Sequence, residues 1–131
     1  MQPAGIHHIA LLARSFEQTV SFYSDILGLS EARRWHTPDG QVRSIWFALA
    51  GGAFLMVERA DLGVKRGEVR GGGWFVVSLQ IAPTEREAWR RHLSQQHINI
   101  IRETAYTLFV EDPEGNRIGL THWPVVENNS I

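Results

Sequence analysis

Two helix-start patterns, Ser15-Phe16-Glu17-Gln18 and Thr84-Glu85-Arg86-Glu87, stand 69 residues apart in this chain. In each, a hydroxyl residue precedes Gln or Glu by three positions, the spacing at which the two side chains satisfy amide donors left free at a helix start. Each pattern follows a run with a period of two. Ile9, Leu11 and Ala13 alternate with His8, Ala10 and Leu12, while Val77, Leu79 and Ile81 alternate with Val76, Ser78 and Gln80. Such alternation describes a strand whose two faces meet different surroundings. Phe16, Val20, Tyr23 and Ile26 or Leu27 then recur at helical spacing, with Gly28 as the stop, and the second helix runs through Trp89 and Leu93 to about Gln96.

Each helix is followed by three further strand signals. In the first half these cover 31–36, 42–50 and 53–59, with turns at Thr37-Pro38-Asp39-Gly40 and Gly51-Gly52 and an antiparallel hairpin across the second turn. The second half opens on a strand at 74–82. It continues with strands at 98–103, 105–111 and 117–123, the last after Asp112-Pro113-Glu114-Gly115-Asn116. The element order strand, helix, strand, strand, strand therefore occurs twice, an internal duplication. The reading is one α+β domain over 1–131: module one at 5–60, a connector at 61–73, module two at 74–123 and a tail at 124–131. The connector holds five glycines, three basic residues and little apolar content. Two paired βαβββ modules, each with one uncovered sheet face, are expected to form a half-barrel with a cleft.

Bulk properties exclude several function classes. A net charge of −1 with 21% charged residues offers no basic excess for nucleic acid or an anionic membrane. No apolar run is long enough to span a bilayer, and the N-terminus lacks a secretory pattern, so a cytoplasmic address is expected. The absence of cysteine removes disulfides, thiol nucleophiles and Cys-type zinc sites together. Asn128-Asn129-Ser130 matches a glycosylation sequon but reads as a polar tail.

Parity along the strands selects the candidate cleft residues. His8 is the one chemically able side chain on the far face of the first strand, and His7 reads as structural. Trp46, with Ser44 and Ala48, falls on the far face of its own strand and suits a stacking wall for a flat apolar ligand. Ser78 and Gln80 place two polar side chains on a face that would be apolar if fully buried. Trp35 and Tyr106 extend the aromatic inventory, and Arg33 and Arg34 are candidates to catch an anionic group.

With these residues in view, the chain resembles a known family. His8-Ile9-Ala10-Leu11, Phe22-Tyr23, Leu27-Gly28-Leu29 and Phe109-Val110-Glu111-Asp112-Pro113-Glu114-Gly115-Asn116 are similar to stretches of the vicinal oxygen chelate superfamily. That group includes glyoxalase I, fosfomycin- and bleomycin-type resistance proteins and extradiol dioxygenases. The resemblance implies paired βαβββ modules. In metal-using members it also implies two ligands per module, one early on the first strand and one on the last. Carried over by position, these fall on His8, Met56, Val76 (Phe75 in the alternative alignment) and Gly119. One imidazole, a thioether, an alkyl group and a bare backbone do not supply the donors that a hard divalent ion takes. Glu58 is the alternative donor beside His8, with His122 and His36 as more remote ones.

Two function classes follow. One is a small-molecule binder without a resident cofactor, with Trp46 and Met56 as apolar wall and His8, Glu58, Ser78 and Gln80 as polar contacts. The other is a lyase, isomerase or dioxygenase, either with a divalent metal on His8 and Glu58 or with His8 as a metal-free base. A third, blander class is an assembly or regulatory domain. The resemblance also implies a homodimer, with modules pairing within one chain or across two.

Overall fold

A computed structural model describes residues 1–2, 5–60 and 76–124. The connector, Trp74 and Phe75, the sequon and nearly all of the tail lie outside the described residues. The chain divides into two compact units, Met1–Arg70 and Gly71–Ile131. Each carries the βαβββ order expected from the duplication.

In the first unit β1 (His8–Ala13) leads to α1 (Phe16–Ser21), followed by β2 (Glu31–His36), β3 (Val42–Ala48) and β4 (Phe54–Arg59). The sheet order is β1-β4-β3-β2, with β1 parallel to β4 and the other pairs antiparallel. Ala13, Ile45, Phe47, Leu55 and Val57 are buried on the face that meets Phe16, Phe22, Tyr23 and Leu27 of the helix and its extension. The Val, Leu, Ile and Phe side chains among these each contribute about 1.5–3 kcal/mol when fully buried. The helix does not end at Ser21 but widens into a π-helical turn, Phe22–Ile26, where the Leu27 amide donates to the Phe22 carbonyl at 3.0 Å. Gly28 then takes φ +73°, the left-handed stop its position predicts, and the Leu29 amide closes back on the Tyr23 carbonyl.

The second unit repeats the plan with β5 (Val77–Gln80), α2 (Arg86–Gln95), β6 (Arg102–Glu103), β7 (Thr107–Glu111) and β8 (Arg117–Thr121). Its order, β5-β8-β7-β6, matches the first sheet position for position. Ile81, Leu93, Leu108, Val110, Ile118 and Leu120 are its buried apolar residues.

Both capping boxes are corrected. At α1 no side-chain cap bond forms, and the first turn closes through backbone, Thr19 amide to Ser15 carbonyl at 2.9 Å. At the second site Pro83–Glu85 form a 3₁₀ turn, so α2 begins at Arg86 and Thr84 never becomes a cap. Several strands are shorter than their apolar runs. The expected 98–103 strand shrinks to two residues, because the chain leaves α2 through His97 at φ +58° and only then turns toward β7.

Candidate functional site

Backbone register assembles the candidate site on the face of the first sheet that α1 leaves bare. Ala10 pairs with Met56, Met56 with Trp46, and Trp46 with Arg33, so these four form one row across the sheet. A neighbouring row starts at His8, which pairs with Phe54, itself opposite Ala48. The His8 ring lies 5.2 Å from the Trp46 ring, and Phe54 meets the same indole edge-on at 5.5 Å. Trp46 and Met56 are half-buried, while His8 is exposed. The Trp46 indole Nε1 is itself buried and has no hydrogen-bond partner among the described residues. A buried N–H without an acceptor costs about 1–3 kcal/mol.

Alternation predicts a structural His7, on the helix side or at a frayed strand start. Its carbonyl accepts from the Phe54 amide at 3.0 Å, which holds the backbone at the strand entry. Its ring, however, is exposed and approaches His8, Nδ1 to Nδ1, at 2.9 Å. One imidazole must donate and the other accept there, so the two rings fix each other's tautomers. Sequence alternation carries no signal for this, because His7 precedes the first residue of β1.

Glu58 is on the expected face but is not brought to His8. It pairs with Leu12, four register positions along β1, or roughly 13 Å at about 3.3 Å per residue. Its carboxylate accepts from Arg43 Nε at 3.2 Å. His122, the other alternative donor, accepts at Nε2 from Arg86 at 3.2 Å, with Tyr106 edge-on at 5.5 Å. Arg86 is a hub that sequence reading missed: it also donates to the Thr104 carbonyl at 2.7 Å and to Glu103 at 3.3 Å. His36 ends the exposed β2 strand.

In the second unit Ser78 and Gln80 are both exposed, while Val77 and Leu79 alternate inward, as parity requires. Ser78 pairs with Gly119 and Gln80 with Thr121. Gly119 is buried, and a Cβ built there would stand 2.7 Å from Ser78 Oγ and 3.2 Å from Thr107 Cγ2. A side chain at this position would have to turn the exposed Ser78 hydroxyl aside. Among the described residues no three His, Asp or Glu side chains converge as a metal cage.

The motif Asp112–Asn116 turns out to be a structural device. Asp112 is 4% exposed, and its carboxylate accepts from the Glu114 and Asn116 amides at 2.9 and 2.8 Å and from Asn116 Nδ2 at 2.8 Å. Gly115 supplies the φ of +80° that the turn needs. Among the described residues no helix is long and apolar enough to cross a membrane.

Comparison with known proteins agrees with this architecture. The fosfomycin resistance protein FosX from Listeria monocytogenes, solved with Mn(II) and a sulfate ion, superposes with a TM-score of 0.73 at 14% identity, covering 95% of this chain and 96% of that one. A lactoylglutathione lyase from Agrobacterium tumefaciens gives 0.67 at 18% identity, covering 91% and 93%. A glyoxalase/dioxygenase from Nostoc punctiforme gives 0.70 at 19%, covering 89% of each chain. Likeness at these identities establishes the fold. A search of curated protein sequences finds no match. The family model for the Glyoxalase/Bleomycin resistance protein/Dioxygenase superfamily matches residues 5–120, and the chain belongs to that superfamily.

Proposed function

We propose that this protein binds a small, flat, aromatic or amphipathic molecule on the bare face of its first sheet, without a resident divalent metal. The observation that carries the reading is Trp46, flanked by His8 at 5.2 Å and Phe54 at 5.5 Å, with Met56 opposite it. A half-buried indole beside a thioether offers a dispersive wall, and aromatic contacts of this kind contribute about 0.5–1.5 kcal/mol beyond area burial. His8 is the polar anchor beside it. Ligand pockets combine the same ingredients, mostly apolar walls with few oriented polar groups.

The donor set argues against the metal site of metal-using relatives. Of the four corresponding positions only His8 carries a nitrogen or oxygen donor; Met56 and Val76 offer none that a hard divalent ion prefers. Gly119 carries no side chain and so no donor. Glu58 does not repair the set, since it lies four register positions from His8.

A second reading, turnover with His8 as general base, draws on the 2.9 Å contact between His7 and His8. If His8 donates its Nδ1 proton to His7, its Nε2 lone pair is left as the base.

Binding of 2-naphthol, followed by tryptophan fluorescence and calorimetry, tests the first reading. Wild-type protein is expected to bind it saturably with one site, and Trp46→Ala to lose that binding. Saturable binding that survives Trp46→Ala would place the ligand elsewhere and sink the reading.

A further inference from the structure

The two neighbouring arginines of β2 are not equivalent, and the difference comes from a bulge. Glu31 pairs with Phe47, yet Arg33 pairs with Trp46, so one extra residue, Ala32, is accommodated on β2. Had the register continued unbroken, Arg33 would have fallen opposite Ile45, on the helix-covered face. The bulge re-aims it onto the bare face, in the row of Trp46 and Met56, and sends Arg34 to the position opposite Ile45. Arg34 is then consumed by Glu31, which accepts from its Nε at 2.7 Å and its Nη2 at 2.9 Å. Arg33 has no carboxylate partner among the described residues, and its guanidinium lies over the Trp35 ring at 5.1 Å. This cation–π contact engages no N–H acceptor, and a guanidinium with its N–H donors unspent is suited to take a carboxylate through two parallel bonds.

Resting on the binding reading above, we propose that Arg33 selects the charge of the ligand: the molecule taken is an aromatic carboxylate or similar planar oxyanion. Its flat body lies on Trp46 and Met56, and its anionic group meets Arg33. Arg33 lies in the row of Trp46 and Met56 and has no carboxylate partner among the described residues. Such a cation recognises oxygen lone pairs and does not suit a cationic ligand.

The test compares 2-naphthoate with its neutral isostere 2-naphthamide by calorimetry, on wild-type protein and on Arg33→Gln and Arg34→Gln, with circular dichroism to verify the sheet. The wild type is expected to favour naphthoate by about tenfold, as a charge-assisted bond supplies. Arg33→Gln abolishes that preference, and Arg34→Gln keeps it. Equal affinity for both probes in the wild type, or a preference that survives Arg33→Gln, overturns the proposal. If naphthamide binds and Trp46→Ala abolishes that binding while charge adds nothing, only the charge assignment fails and the binding reading stands. If neither probe binds, both fail.

Discussion

The His8 imidazole and the Trp46 indole lie 5.2 Å apart, brought together from β1 and β3 across the intervening strand β4. They are 38 positions apart in the chain and meet because both occupy the parity that α1 leaves bare. His8→Ala removes a polar anchor and half of the indole's aromatic surround while leaving the helix-side core untouched. We expect a roughly threefold to thirtyfold loss of 2-naphthol affinity, the equivalent of about 0.5–2 kcal/mol, with no change in thermal midpoint beyond 2–3 °C. Calorimetry and a melting curve on the same sample check both halves.

Gly119→Ala should destabilise the second sheet by about 1 kcal/mol or less, since the new methyl, 2.7 Å from Ser78 Oγ and 3.2 Å from Thr107 Cγ2, turns aside the end of an exposed side chain. Ser78→Ala in the same background removes the nearer clash and should recover most of the loss. Urea titrations of both single variants and the double variant measure the coupling. Simple additivity would mean that Ser78 does not occupy that space.

Asp112→Ala leaves two backbone amides and the Asn116 side chain without their acceptor in a turn that is 4% exposed at the aspartate. A loss of about 2–3 kcal/mol in unfolding free energy is expected, with ligand affinity at the first sheet unchanged. A selective loss of binding at unaltered stability would give the motif a functional role instead of a structural one.

Acid should weaken the second unit through Glu103. The Arg90 guanidinium, bonded to it at 2.7 Å, and Arg86 beside it hold this carboxyl below its ordinary value of 4.5. A group whose folded value is depressed contributes stability that is present above its unfolded value and lost as pH falls through the folded one. The contribution is therefore complete above pH 4.5 and disappears at more acidic pH. Glu103→Gln should flatten the pH dependence of stability below that point and leave its shape near neutrality unchanged. The effect is modest because the pair is solvent-screened.

The duplicated plan and the faces of β1, β3 and β5 were legible because period-two alternation is read locally. His8, Trp46, Ser78 and Gln80 all lie on the parity assigned to them. What escaped reading depended on insertions or on tertiary partners. A one-residue bulge at Ala32 reverses the facing of Arg33 and Arg34, and nothing local announces it. Pro83 starts a 3₁₀ turn that displaces the helix start from Thr84 to Arg86. Glu58 shares the right face, but its distance from His8 is set by the register of two strands nearly fifty residues apart. The His7–His8 contact and the Arg86 hub arise from rings and guanidinium groups reaching around element ends, where periodicity has no say.

Calorimetric titration of the wild-type protein with 2-naphthol, once in excess EDTA and once after saturation with Mn(II), separates the two accounts of this fold most directly. A site built from Trp46, Met56, Phe54 and His8 predicts one saturable event with the same Kd in both solutions. Binding that vanishes in EDTA and returns with the ion would contradict it.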